Sequence, residues 1–324
     1  MTHQIPPDSL RLSVILPCYN GADTLAVQLD ALERQRWPGG WDVIVVNNGS
    51  TDDSMAIAES YQGRLPGLQI VQAHVPGTAR LGVPHSYNTG IKASSSDAFA
   101  FCEADDEVAP DWLYELGMAL TEHDFVAARL DHRKLNAEWL HPPKGEGFQS
   151  EGVFRLEAPP HYLLASGCGC GLRRELYDSV GPLSTTFPIG HDMEYCWRLQ
   201  LAGYAVHFEP KALVHYRERA GLKARYRQGY NWGRDYTRLS QRYGAPLGRL
   251  PLPRQLLTLA RALPPGLWAG LLWTLHLRKG QALLSEWMWN FGWARGRLAA
   301  ILQTPPALAP ALAGADGMHG KGAA

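Results

Sequence analysis

The sequence predicts an α/β fold: a mostly parallel sheet flanked by helices, with a helical appendage at the C-terminal end. Three observations carry this. Short apolar runs alternate with stretches in which leucines recur at helical spacing. The runs end in Pro, Asn, Gly or Asp, as strands do when they leave a buried sheet. Beyond about residue 220 the strand pattern stops, and Arg, Tyr, Trp and Leu take over.

The elements follow in order. Residues 1–9 form a polar tail without an apolar signal core, so a cytoplasmic location is expected. Residues 10–219 are expected to form one domain. Arg11–Leu16 is a buried strand closed by Pro17, and Leu25, Leu29 and Leu32 mark the helix after it. Asp42–Val46 is a second strand. It ends in Asn47-Asn48-Gly49-Ser50, where Ser50 and Asp53 resemble a capping box for the next helix. Leu68–Gln72 is a third strand, and Asp97–Cys102 a fourth, after a segment around Tyr87–Lys92. Ligands of such sheets sit at the carboxyl ends of the strands. Asn47, Asn48 and Glu103–Asp106 are therefore expected on one rim. A Gly/Cys-rich stretch, Ser166–Gly171, precedes helices at Arg173–Val180 and at about Asp192–Ala202. Short strands near Ala205–Phe208 and Ala212–Tyr216 close the domain. Residues 220–303 are expected to be a basic, Trp-rich helical region, and the Ala/Pro/Gly-rich residues 304–324 a disordered tail.

The composition is that of a globular protein, with 45% hydrophobic and 19% charged residues in 324. None of the five cysteines forms a C-x-x-C pair, which favours small buried thiols over zinc or disulfides. The formal net charge of zero conceals two opposed parts. Residues 217–303 hold 15 Lys/Arg against 3 Asp/Glu, and residues 1–216 hold 15 against 27. Such an asymmetry implies an acidic part that uses a metal and a basic part that faces anions. Nucleic acid is not among the expected partners.

The stretch Glu103-Ala104-Asp105-Asp106-Glu107 crowds carboxylates directly after an apolar strand. Neighbouring carboxylates repel, so folding needs a cation or hydrogen bonds to offset them. The stretch is either a divalent-metal site or a solvated acidic helix start. Of its members, Asp106 is the weaker ligand candidate and Glu107 reads as solvated.

Four motifs together resemble the family 2 glycosyltransferases: Val14-Ile-Leu-Pro-Cys-Tyr-Asn-Gly21, Val45-Val-Asn-Asn-Gly-Ser-Thr-Asp52, Glu103-Ala-Asp-Asp106 and Gly190-His-Asp-Met-Glu-Tyr-Cys-Trp-Arg198. The resemblance covers about residues 10–217. It implies a GT-A fold and an inverting transfer from a nucleotide-diphosphate sugar. It also implies that the loops after Pro17 and Val46 hold the nucleotide through Pro17, Tyr19, Asn20, Asn47 and Asn48. Glu103 and Ala104 would complete that site. Asp105 would be the principal ligand of Mn2+ or Mg2+, with Glu103 beside it, and Asp192 the catalytic base. Charge chemistry agrees: no G-x-x-x-x-G-K-[ST] loop is present to cradle phosphates, and carboxylate oxygens suit these hard cations.

Three positions depart from the family's usual residues: Asn47 in place of Asp, Glu103 in place of Asp, and His191 in place of Glu. An asparagine still accepts a hydrogen bond from a base, but it carries no charge and also donates. Arg80 is either a diphosphate contact or a surface arginine. His215 is either a ligand near the metal or a half-buried strand-end histidine. The Q-x-x-R-W motif of processive synthases is absent, so transfer of a single sugar is expected. The expected function is assembly of an envelope polysaccharide or glycolipid, on a glycan or lipid-linked acceptor. Two alternatives stand beside it: a sugar-phosphate nucleotidyltransferase, and a non-catalytic glycolipid-binding scaffold.

The basic region carries a further expectation. Trp268, Trp273, Trp287, Trp289 and Trp293 fall within 26 residues. Tryptophan favours the headgroup boundary of a membrane, and Arg249, Arg254, Arg261, Arg278, Lys279, Arg295 and Arg297 suit lipid phosphates. The uncharged run between Arg261 and Arg278 has 16 residues and two prolines, too short and too broken to span. Peripheral attachment to an anionic, cytoplasmic membrane face is expected. The competing account is a packed helical subdomain with Trp in its core.

Overall fold

A computed structural model describes residues 5–142, 147–156, 161–243, 252–275 and 278–304. The chain divides into two compact units. The first comprises residues 1–155 and 163–218, the second residues 156–162 and 219–324.

The first unit is built on an eight-stranded sheet. Its strands are β1 (Leu12–Cys18), β2 (Trp41–Asn47), β3 (Gln69–Gln72), β4 (Ala98–Phe101), β5 (Glu107–Val108), β6 (Phe125–Asp131), β9 (Gly171–Arg173) and β10 (His207–His215). Their spatial order is β3-β2-β1-β4-β9-β6-β10-β5. A two-stranded ribbon, β7 (Phe154–Arg155) with β8 (Leu163–Leu164), lies outside it. Pairing is parallel for β1 with β2 and β4, for β2 with β3, and for β6 with β10. Only β9 and β5 run the other way.

The central strands are covered on both faces, which is why they read as continuous apolar runs. Leu12, Val14, Ile15, Leu16 and Val43–Val46 are all buried. Ser13 is the polar exception, and its hydroxyl is bonded to Ser94 (2.7 Å) and Ser96 (2.9 Å). Leu25, Leu29 and Leu32 pack inward from α1 (Leu25–Glu33). The other helices of this unit are α2 (Ser54–Glu59), α3 (Val83–Ala93), α4 (Trp112–Leu120), α5 (Arg174–Val180) and α6 (His191–Leu201). Gly90 lets α3 approach closely, because a Cβ there would collide with Ile15 and Val46. All five cysteines are buried and free, as expected of thiols used for packing.

Three local expectations are corrected. The two short strands expected between Ala205 and Tyr216 are one strand, β10, with an irregularity between Glu209 and Leu213. The Gly/Cys-rich stretch leads into a strand, β9, that fills the centre of the sheet. The capping box at Ser50 and Asp53 does not form: Asp53 makes no side-chain cap, and Asp52 accepts the Ser54 amide instead, at 3.1 Å. Within the expected N-terminal tail, Ile5 donates its amide to Thr121 (3.0 Å), and Pro7–Ser9 form a 3-10 turn.

The second unit contains α7 (Leu222–Arg242), α8 (Leu252–Thr274) and α9 (Arg278–Leu302). α7 and α9 run parallel, joined by glycines. Gly229 and Gly233 face the backbone of Trp289 and Trp293, while Gly292 and Gly296 face that of Tyr226 and Tyr230. α8 returns antiparallel, with Gly266 under the Trp287 ring and Trp287 Nε1 donating to Ala262 O at 2.7 Å. α8 runs through Pro264 and Pro265 without interruption, where the sequence implies a break. No described helix is long and apolar enough to cross a membrane. Arg249 and residues 305–324 lie outside the described residues.

Candidate active site

Six strands end on the same rim of the sheet, at Cys18, Asn47, Gln72, Phe101, Asp131 and His215. β9 is antiparallel, so its entry, Gly167–Cys170, reaches that rim as well. Topology alone thus brings together every sequence-predicted motif but Asp192, and a hydrogen bond brings that one.

After β1 the chain turns at Asn20, whose φ of 48° is a left-handed conformation that Asn tolerates. The turn is stitched to the segment after β2. Asn20 Oδ1 accepts the Thr51 amide (2.8 Å), and the Asn20, Gly21 and Ala22 amides donate to Ser50 Oγ (3.1 Å), Ser54 Oγ (2.8 Å) and Asp52 Oδ2 (3.0 Å). Pro17 is half-buried at the strand end. Tyr19 is 46% exposed, and the Arg80 guanidinium stacks over its ring, 3.1 Å from the centroid. A Cβ on Gly21 would reach Ala104 at 3.4 Å, so this turn abuts the acidic loop.

The two asparagines divide their work. Asn47 donates from Nδ2 to Gln72 Oε1 (2.9 Å), and its Oδ1 accepts the Ser50 amide (2.8 Å). Its amide is occupied at both ends by the protein. Asn48 donates from Nδ2 to Leu81 O (2.8 Å), which fixes the orientation of the amide. Its Oδ1 is buried without a hydrogen-bond partner. A buried acceptor left unmet is costly, so it marks a place where a ligand donor is wanted.

The acidic loop resolves its own charge unequally. Asp106 is 1% exposed, and its Oδ1 accepts the Arg217 amide at 2.8 Å. Arg217 Nε donates to Asp105 O at 2.8 Å, so the segment after β10 clamps the loop. Glu107 is not solvated, contrary to expectation: it is 9% exposed and bonded to Lys134 Nζ at 2.7 Å. Glu103 and Asp105 stay half-buried at the rim, with Ala104 packed between them.

His215 Nδ1 lies 2.8 Å from Asp131 Oδ2. Burial raises the Asp131 carboxyl, but bonds from His215 and from the Lys134 and Arg133 amides outweigh it, leaving the group below the ordinary range. The carboxylate makes Nδ1 the protonated nitrogen and leaves Nε2 as the one able to ligate a metal. Among the described residues, no three His, Cys, Asp or Glu side chains gather as a metal cluster. Glu103, Asp105 and His215 are therefore not one closed ligand set. β9 and β6 separate the end of β4 from β10, but the acidic loop itself crosses to β5, where Glu107 pairs with His215.

Asp192 stands in the first turn of α6. Its Oδ2 accepts the Gly167 amide (3.2 Å) and its Oδ1 the Met193 amide (2.8 Å), so each oxygen is oriented by one N–H. His191 is buried beside it, its ring 6.1 Å from Tyr87. Tyr87 packs at a tilt against Phe101, ring centres 4.5 Å apart, and burial, reinforced by the Glu103 carboxylate, pushes its phenol well above the usual range. Tyr87 thus lies between His191, next to Asp192, and Phe101, which leads into the acidic loop. Asn88 is a structural anchor: its Nδ2 donates to Leu183 O (2.8 Å), and its Oδ1 accepts from Leu183 N (2.9 Å) and Tyr177 OH (3.1 Å). Sequence reasoning missed Gly167, Arg217 and Tyr87. Only Gly167 had a visible signal, its Gly/Cys-rich surroundings.

The family model for glycosyl transferase family 2 matches residues 13–181. The chain belongs to this family. A relative in Escherichia coli K12, the uncharacterized glycosyltransferase YibD, is 34% identical over 148 residues, 46% of this chain and 40% of its own. The chain thus spans less than half the length of that relative. Among solved structures, the mannosyltransferase PcManGT from Pyrobaculum calidifontis, in complex with GDP-Man and Mn2+, superposes with a TM-score of 0.57. It is 19% identical and covers 88% of this chain and 87% of its own. TarS 1-349 of S. aureus in complex with UDP-GlcNAc gives a TM-score of 0.51 at 19% identity, covering 70% and 66%. These two likenesses establish the GT-A fold of the family 2 chain.

Proposed function

We propose that this family 2 chain is an inverting, metal-dependent glycosyltransferase that moves one sugar from a nucleotide-diphosphate sugar to a hydroxyl acceptor. The carrying observation is the shared rim, where the stitched turns after β1 and β2, the acidic loop and the oriented Asp192 carboxylate converge. The nucleoside rests on Pro17, Tyr19, Asn20 and the two asparagines. Because Asn47 is occupied, Asn48 Oδ1 is the acceptor for a base N–H. Arg80, already against Tyr19, faces the diphosphate.

The residues present fit a divalent cation. Mg2+ and Mn2+ are bound through one or two carboxylates plus phosphate oxygens and water, so a three-residue cage is not needed. Asp105 would hold the ion, with Glu103 and His215 Nε2 as the further donors. When bound, the ion neutralises charge that develops on the departing diphosphate. Asp192 takes the proton from the acceptor hydroxyl as its oxygen attacks the anomeric carbon. The bond from that carbon to the diphosphate oxygen breaks, and the configuration inverts. The reading extends to a glycan or lipid-linked acceptor in envelope assembly, presented at an anionic cytoplasmic membrane surface.

Incubation with UDP- and GDP-sugars, with and without Mn2+, tests the proposal. Release of nucleoside diphosphate that a chelator abolishes supports it. Nucleotide binding without turnover on any acceptor leaves the scaffold reading in its place.

A further inference from the structure

α8 has an unusual distribution of side chains. Its buried line is narrow, Gln255, Gly266 and Ala269. The rest of its surface is exposed and largely apolar: Leu256, Leu263 (52% exposed), Leu267 (78%), Trp268 (59%) and Leu271. In a water-facing helix the apolar stripe is the buried one. Here it lies outside, and a contiguous patch of this kind marks an interaction surface.

We propose that α8 is the membrane-inserting element of this protein, lying in the plane of an anionic monolayer with this leucine face in the acyl boundary. The inference rests on the reading that the chain works at a membrane surface, and it names the element that does so. Three observations favour lipid over a protein occupant. α8 holds no Asp or Glu, and its two cations, Arg254 and Arg261, are exposed and lie together at one border of the leucine face. They suit headgroup phosphates. The 12-charge surplus of residues 217–303 disfavours a second copy, since a two-fold contact would bring like charge against like. Finally, Pro264 and Pro265 remove the hydrogen bonds that the Ala260 and Arg261 carbonyls would accept within the helix. Those carbonyls need water, which the interface supplies and the hydrocarbon core does not.

The tryptophans then separate by role. Trp268 and Trp273 are both exposed on α8, but Trp273 follows Gly266 by seven residues and Ala269 by four, which sets it on the side of the buried line, away from Leu267 and Leu271. Trp287, Trp289 and Trp293 are half-buried on α9: Trp287 stacks on Phe291 at 4.9 Å, and Trp289 on Trp293 at 5.4 Å. The last three belong to the packing of the helices, as the subdomain account held, and only Trp268 reaches lipid.

The test uses the full chain with vesicles of phosphatidylcholine alone and with phosphatidylglycerol added. Wild type should float with the anionic vesicles, and L267E/L271E should partition about tenfold or more weakly. Lipids brominated in the acyl chain should quench tryptophan emission, and W268F should remove most of that quenching while W273F and W289F leave it. The altered residues are exposed, and an unchanged melting shift with nucleotide verifies that the variants fold. Flotation of L267E/L271E at the wild-type level, with quenching intact in W268F, overturns the role of α8 and leaves the membrane reading standing. Absence of wild-type flotation with either vesicle overturns both. A wild-type dimer that L267E/L271E converts to monomer makes the face a protein interface and overturns the proposal.

Discussion

Asp192→Asn separates a catalytic base from a helix-start carboxylate, because the structure predicts two independent effects. The Asp192 oxygens each accept one amide, Gly167 at 3.2 Å and Met193 at 2.8 Å. An asparagine keeps one acceptor and must turn an NH2 toward the other amide, so one charge-assisted bond becomes a donor facing a donor. Losing such a bond costs about 1.5–3 kcal/mol where the group is well buried. Asp192 is only half-buried, so the lower end applies, about 1.5 kcal/mol. In a domain of this size that lowers Tm by roughly 3–6 °C. The chemical effect is separate: without a carboxylate to take the hydroxyl proton, kcat should fall about 100-fold or more with donor affinity nearly intact. The assay is steady-state release of nucleoside diphosphate at saturating donor, beside a melting curve. A variant that melts lower yet keeps its kcat would show that Asp192 only anchors Gly167 to α6, and the base assignment would be wrong. A collapse of donor binding with kcat retained would place it in the donor site instead.

Three further outcomes are expected. Asp105→Asn should lose most activity and weaken Mn2+-dependent nucleotide binding, seen by calorimetry, while its melting curve stays near wild type; full activity in excess chelator would contradict the metal role. Asn48→Ala removes a buried acceptor that the protein leaves unmet and one bond, to Leu81 O, so it should weaken nucleoside diphosphate binding about tenfold at the stability cost of that single bond, whereas Asn47→Ala should cost more stability by freeing both Gln72 and Ser50. For pH, burial lowers the His132 imidazole, but the bonds to Glu218 and to the Phe148 carbonyl outweigh it and hold it above 6.5. Its contribution is full below that value and lost as pH rises through the folded pKa, so Tm should fall on that side, and Glu218→Gln should flatten the fall. The Asp131 carboxyl is lowered, so its contribution is present above 3.8 and lost as pH falls through the folded value.

Most of the sheet was legible because parallel strands buried on both faces leave an unbroken apolar signature, as in Val43–Val46. The elements that escaped lacked one. β5 is two residues long and takes its place only by pairing Glu107–Val108 with β10. β9 is three residues of Gly-Leu-Arg, and Gly171 faces Leu116 and Leu120 so tightly that a side chain would not fit. Small residues chosen for close approach look like a loop in one dimension. The failed capping box has a similar cause. Ser50 is engaged by the Asn20 amide from another strand's turn, and no local pattern reports a partner 30 positions away.

The site shows where local reading stops more sharply. The placement of Asn47, Asn48 and Asp105 on one rim was legible from strand ends, because topology forces those positions there, while Asp192 joins them through its bond to the Gly167 amide. Their division of labour was not. Glu107 and Asp105 are both carboxylates of one short loop, yet Glu107 is neutralised by Lys134 and Asp105 is clamped through its backbone by Arg217. Charge crowding after a strand therefore identifies a loop that needs positive partners, without saying which carboxylates the protein itself will satisfy. The two asparagines obey the same logic: the one whose amide the protein has satisfied holds the loop, and the one left with a buried acceptor is available to a ligand. Function at this rim follows what the fold leaves unsatisfied, a quantity that exists only once the chain has folded.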